Sequence, residues 1–108
     1  MGNDLAFSSA TRVRQLIADG ELSPVELTEI FLSRIDSLDG QLNSFLTVAS
    51  DQALASARKA EAAVASGDEL GPLHGIPISI KDLEMTSGIR TTFGSLIFQD
   101  NVPDSDTG

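Results

Sequence analysis

Cysteine is absent from the sequence and histidine occurs once, as His74. Without cysteine there is no disulfide framework and no thiolate zinc site. One histidine removes histidine-rich metal sites and weighs against a Ser-His-Asp triad. Basic residues are also scarce, with Lys and Arg totalling 7 against 16 Asp and Glu, for a formal net charge of -9. Phosphate backbones and anionic membrane surfaces are held by basic patches, so direct contact with nucleic acid or membrane is not expected. Long apolar runs are missing as well, none approaching the ~20 residues that cross a bilayer. The opening Met1-Gly2-Asn3-Asp4-Leu5-Ala6 lacks the basic start and apolar stretch of a signal peptide. Ala6 stands where a myristoylation motif takes Ser or Thr. A cytoplasmic location is therefore expected, with the acidic residues on solvated faces. No internal repeat or low-complexity tract is found.

What the sequence does contain is a modest core. Hydrophobic residues make up 41% of the 108, enough to exclude wholesale disorder and to build one domain or part of a larger one. A helix is predicted near 8–19, capped by Ser8 or Ser9, with Ala10, Val13, Leu16 and Ile17 on one face and Gly20 as its stop. Ser23-Pro24-Val25-Glu26 is a stronger start signal: a hydroxyl cap, proline at the first helical position and Glu26 to complete a capping box. That second helix should run to about Leu38 on a stripe of Leu27, Ile30, Phe31, Ile35 and Leu38, ending at Asp39-Gly40. Ser50 is expected to cap a third helix, with Asp51 in its first turn. Its stripe is Ala53, Ala57, Ala60 and Val64, and Gly67 closes it.

Strands are expected at Asn43 to Val48 and at Ile76 to Lys81, with a further short element of unspecified type at Thr91 to Ser95. These divide the chain into a helical hairpin over about 1–40, the start of an α/β core over 43–98, and a loop or disordered end over 99–108 rich in Asp100, Asp104 and Asp106. The second strand is the richest in chemistry. Alternation puts Ile76, Ile78 and Ile80 on one side and Pro77, Ser79 and Lys81 on the other. A lysine ending an isoleucine-rich strand is unusual, because unpaired charge in an apolar neighbourhood is costly. Spacing alone leaves Lys81 open to a plainer role, leaving the strand into solvent and pairing with Asp82 or Glu84.

Gly71-Pro72-Leu73-His74-Gly75-Ile76-Pro77-Ile78-Ser79-Ile80-Lys81-Asp82, followed by Thr86-Ser87-Gly88-Ile89-Arg90-Thr91-Thr92-Phe93-Gly94-Ser95, resembles the catalytic-lysine segment of the amidase signature family. Upstream, Gly20-Glu21-Leu22-Ser23-Pro24-Val25-Glu26-Leu27, the Leu42-to-Val48 stretch and the alanine-rich helix are similar in order and spacing. The resemblance implies an α/β fold in which N-terminal helices precede the first strands of a mixed sheet, incomplete within this chain. It implies a hydrolase that cleaves carboxylic amide C–N bonds through a Ser–cis-Ser–Lys relay, with Lys81 as the catalytic lysine and neither metal nor organic cofactor. Such a lysine has a reference pKa of ~10.4 and needs an apolar, water-poor setting to act as a base.

The Gly/Ser-rich motif and the nucleophilic serine of that family have no counterpart in these residues, so the chain alone is expected to be inactive. A small-molecule amide is the implied substrate of the complete enzyme, with a homo-oligomer or a complementing C-terminal fragment as protein partners. A general amidase is favoured over the A subunit of a tRNA-dependent amidotransferase. The alternative from another class is a non-catalytic helical interaction module or half of a split amidase. Ser79, on the same strand face as Lys81, is a weaker candidate for a local dyad, and His74 is expected to pack its loop. Asp82, beside the base, is expected to face solvent or cap backbone. Thr91-Thr92 and Gly94-Ser95 are expected to form a turn.

Overall fold

The computed structural model describes residues 2–108, and Met1 lies outside the described residues. Helices are α1 (Gly2–Leu5), α2 (Ala10–Ala18), α3 (Pro24–Leu42) and α4 (Ser50–Ala65), with a 3-10 turn at Leu96–Phe98. The chain forms two compact units. One runs up to Asn43 and adds Ser50–Pro77; the other joins Ser44–Ala49 to Ile78–Gly108.

Local chemistry explains where the helices of the first unit start and stop. Ser9 caps α2, its Oγ accepting from the Arg12 N–H at 3.2 Å. Ser23 caps α3 by accepting from Val25 N–H at 3.0 Å and Glu26 N–H at 3.3 Å, with Pro24 in the first turn. Its hydroxyl in turn donates to the Glu61 carboxylate on α4. The ends of α2 and α4 are built alike. Gly20 (φ 73) donates to Ile17 O while Glu21 reaches back to Leu16 O. Gly67 (φ 72) donates to Val64 O while Asp68 reaches back to Ala63 O. Each is the paired bonding of a Schellman stop, in which a left-handed glycine satisfies the last carbonyls.

The third helical boundary differs from expectation. Gly40 does not end α3; the helix continues to Leu42 and stops at Asn43, itself left-handed at φ 51, whose N–H donates to Asp39 O at 2.7 Å. An interior glycine costs a helix only ~1 kcal/mol, so by itself it marks no stop, and asparagine is among the few side chains that tolerate the left-handed stop.

Leu5, Val13, Ile17, Leu22 and Leu27 are buried together, with Leu16, Ile30, Phe31, Val64 and Ile76 packed on them. On α4, Ala57 is buried and Ala53, Ala60 and Val64 are half-buried, as the small-residue stripe predicts. Ile17 and Leu27 are fully excluded from water, and Pro24 with them. The backbone of Gly75 comes so close to this centre that a Cβ there would lie 3.0 Å from Pro24 Cγ and 3.2 Å from Ile17 Cδ1.

The expected strands are not formed. Among the described residues no segment joins a β-ladder, and 43–48, 76–81 and 91–95 are irregular. Alternating side chains can give a segment two faces, but a strand also needs a neighbour whose N–H and C=O groups match its own. The segments of this chain offer no such neighbour to Ile76–Lys81, and Ile78 and Ile80 stand exposed at 71% and 52%. The helical part of the α/β expectation is thus present, and its sheet is not.

The glycines separate two costs. Gly67→Ala should lose about 1 kcal/mol from its left-handed φ alone, since nothing lies within 4 Å of the added Cβ. Gly75→Ala, left-handed at φ +77 and crowded by Ile17 and Pro24, should lose clearly more, about 2–4 kcal/mol. Chemical denaturation of both variants beside the parent protein checks this; equal losses would contradict the close packing.

Candidate active site

The segment that carries Lys81 crosses from one unit to the other after Pro77. Its first half is fastened to the helices of the first unit by two side chains and one close backbone approach. Arg14 on α2 donates from Nε to Gly71 O at 2.8 Å and from Nη2 to Leu70 O at 3.2 Å. His74 Nε2–H donates to Ala60 O at 2.8 Å, on α4. Gly75 takes its left-handed conformation against Ile17 and Pro24. His74 therefore packs the loop, as expected of it. Ile76 completes the anchorage by burying against the core.

In the second unit Lys81 is exposed, as are Ser79 and Ile80. Its carbonyl accepts from Glu84 N–H at 3.0 Å, so the chain turns immediately after it. The next residue is the hub of this unit. Asp82 Oδ1 accepts from Thr92 N–H at 2.7 Å, and Oδ2 accepts from the Thr92 hydroxyl and, at 3.3 Å, from Gly94 N–H. The backbone-capping reading of Asp82 holds. These donors, the Thr92 hydroxyl foremost and then its N–H, hold the carboxyl below its ordinary range; Gly94 N–H and Arg90 act in the same direction, against a desolvation that pushes it up.

What Asp82 holds is a strained turn. Thr92 to Ser95 closes with Ser95 N–H donating to Thr92 O at 2.9 Å. Its two central residues, Phe93 and Gly94, are both left-handed at φ 53 and φ 68, the signs of a type I′ turn. Glycine adopts that conformation freely, whereas phenylalanine gives up roughly 1–2 kcal/mol there. The Phe93 ring meets Phe98 edge to face, centroids 5.3 Å apart at 84°. Behind the turn, Thr91 is 1% exposed. Its hydroxyl pairs with that of Thr86 at 3.0 Å and donates to Ile89 O at 3.2 Å.

The last residues are bonded back onto this unit. Thr91 N–H donates to Asn101 O at 2.9 Å and Asn101 Nδ2 returns a bond to Thr91 O at 3.0 Å. Gly88 N–H donates to Pro103 O at 2.9 Å, and Ser87 N–H to Asp106 Oδ1 at 2.7 Å. Met85 and Thr107 exchange bonds at 2.8 and 3.0 Å. Sequence reading missed these partners. They lie ten to twenty-two positions away from one another, and no periodicity or cap rule links residues at such separations.

Among the described residues no three His, Cys, Asp or Glu side chains are grouped to hold a metal ion. No helix among them is long and apolar enough to cross a membrane. The arrangement offers an exposed lysine whose neighbour in sequence is locked to a strained turn.

Comparison with known proteins gives four findings. A family model described as Amidase matches residues 26–108. The A subunit of glutamyl-tRNA(Gln) amidotransferase from Thioalkalivibrio sulfidiphilus is 56% identical over 79 residues, which is 73% of this chain and 16% of that protein. The protein of the same name from Salinispora tropica is 41% identical over 104 residues, 96% of this chain and 21% of its own length. A solved chain, from work described as an unexpected vestigial protein complex revealing the evolutionary origins of an s-triazine catabolic enzyme, superposes with a TM-score of 0.87. It is 29% identical and covers 92% of this chain and 22% of itself. The chain thus spans about a fifth of the length of the proteins it matches.

The carboxylate lock should be visible in solution. A group whose pKa is lowered on folding stabilises the fold fully above its unfolded value and loses that contribution as pH falls through the folded one. For Asp82 the loss should therefore come below the ordinary 3.8. In two-dimensional NMR the Thr92 and Gly94 amide protons should titrate together with a midpoint under that value, and the Asp82→Asn variant should show no such titration. A midpoint at or above it would contradict the lock.

Proposed function

Because the chain belongs to the Amidase family, whose model matches residues 26–108, we propose that it is the lysine-bearing part of an enzyme that hydrolyses carboxylic amides. The observation that supports this reading is the place of Lys81 within the matched residues, in the segment that resembles the family's catalytic-lysine motif. In this reading a serine outside these 108 residues attacks the amide carbon. Its proton passes through a second serine to the Lys81 amine. The tetrahedral adduct collapses, the C–N bond breaks, and ammonia leaves with a proton returned from the lysine ammonium. Water then attacks the ester by the same route, releasing the acid and restoring the serine.

The chemistry asks that Lys81 be neutral when the serine reacts. Exposure to water does not meet that demand, so the reading further holds that the complete protein covers Lys81 and Ile80 with apolar surface. The 108 residues alone are then inactive, and a cytoplasmic location and a small-molecule amide substrate belong to the same reading. The alternative of a purely helical interaction module has less support, because the family match extends through the non-helical residues as well.

A second reading is favoured by the names of the relatives. Proteins 39% to 56% identical to this chain are each called the A subunit of a glutamyl-tRNA(Gln) amidotransferase. On that reading the amide is glutamine, the released ammonia serves an amidation on tRNA-bound glutamate, and partner subunits are required. The general amidase and the amidotransferase share Lys81 and differ in what receives the ammonia.

Both readings are tested on the whole protein that carries these residues, by measuring ammonia release from L-glutamine, propionamide and benzamide. Lys81→Ala should reduce turnover by about 10²–10⁴-fold, the usual yield of a positioned general base. Retained turnover would overturn the role given to Lys81. Activity confined to glutamine would favour the amidotransferase.

A further inference from the structure

We propose that Asp82 is a positioning residue for Lys81: anchored on the Thr92–Ser95 turn, its carboxylate fixes the backbone that carries the lysine and turns its own charge away from the amine. The inference rests on the reading of Lys81 as the base. A free carboxylate close enough to a lysine to pair with it would favour the ammonium form and oppose its use as a base. Here both oxygens of Asp82 are taken, by Thr92 N–H, the Thr92 hydroxyl and Gly94 N–H. The anion next to the base is thereby satisfied by donors other than the base. Lys81 is held on both sides of its peptide unit, by Glu84 N–H on its own carbonyl and by the Asp82 lock one residue on.

The turn that provides the anchor is more costly than its connecting role requires. Phe93 sits left-handed at φ 53, where glycine or asparagine would rest without strain. Strain of this kind persists where surrounding contacts impose it, and it gathers at functional sites. The imposing contacts are the Asp82 carboxylate on one side and the Phe98 ring on the other. Thr92 is the link that matters most, because its backbone and its hydroxyl both reach the carboxylate and the residue is buried.

The test uses the whole protein and the same three amides, with kcat, KM and the pH profile of kcat/KM measured for each variant. Asp82→Ala should lower kcat by about 10–100-fold with KM within about twofold, since a displaced base loses its geometry and binding is untouched. Thr92→Val removes one donor without changing shape. It should move the rising limb of the profile to higher pH, because Oδ2, left with only the long Gly94 N–H bond, becomes available to the ammonium. Thr92→Ser should restore the parent profile. Asp82→Ala, lacking the carboxylate, should show no upward move.

An unchanged kcat in Asp82→Ala, a change in KM alone, or identical profiles for the Val and Ser variants would each overturn the positioning role and leave a purely structural turn. If Asp82→Ala does not fold, the Val and Ser pair decides by itself. Lys81→Ala, measured alongside, separates the two levels. Activity retained there, or a parent protein inactive on all three amides, sinks the reading of Lys81 as the base and this one with it. An inactive Lys81→Ala beside a fully active Asp82→Ala sinks only the positioning role.

Discussion

The approach of the Gly75 backbone to Ile17 and Pro24 is the constraint on which the first unit turns. Ile17 and Pro24 are both closed to water, and what packs against them at Gly75 is a stretch of main chain with no side chain at all. A peptide can lie that close only if the residue is glycine, and only if the chain bends through positive φ as it passes. Arg14 and His74 flank the contact and take up carbonyls of the loop and of α4, so that polar groups drawn towards the core remain bonded. The caps and helix stops set the directions of α2, α3 and α4, and this contact is what binds a loop to them.

The second unit works on a different principle. It has few buried apolar side chains, and its most enclosed residues are threonines, Thr91 and Thr92. Its order comes from side chains bonding to backbone. Asp82 holds the turn, Asn101 and Asp106 hold the last residues, and Thr86 and Thr91 share a hydroxyl contact. Each such bond contributes only about 1 kcal/mol net. Leu96 and Ile97 are more than four-fifths exposed, and Leu83, Ile78 and Val102 more than half. Apolar surface of that extent is unusual for a free-standing unit and accords with the small share of its relatives' length that the chain covers.

What could be read in the sequence follows the range of the forces involved. Ser9, Ser23, Gly20 and Gly67 act on backbone within a few residues, and the structure places them where cap and stop rules put them. The α4 stripe and the α3 stripe as far as Ile35 are legible because a helix repeats its facing every 3.6 residues, whereas Leu38, expected on the same face, is 44% exposed. Gly40 misled, since a glycine inside a helix costs little and marks a stop only where the backbone turns left-handed, which happens here at Asn43. Strand pairing was illegible in principle: Ile76 to Lys81 displays its alternation, and nothing within the segment names a partner. Of the candidate site, the lysine was visible through family resemblance and the capping tendency of Asp82 through its chemistry. The pairing of Asp82 with Thr92, ten positions on, needed coordinates.

The link between α2 and α3 has a consequence for how this protein can change over time. From Asp19 to Ser23 every residue has an assignment. Asp19, Gly20 and Glu21 close the helix behind them, Leu22 is buried while its N–H returns to Leu16 O, and Ser23 opens the helix ahead. There is no slack position, so gaining or losing one residue here would break a cap, a stop or a core contact at once. The stretch from Ser44 to Ala49 is mostly exposed, and none of its residues is fully buried. Length variation among descendants of this sequence should collect there and spare the tighter link. Two loops of nearly equal length would then record very different histories.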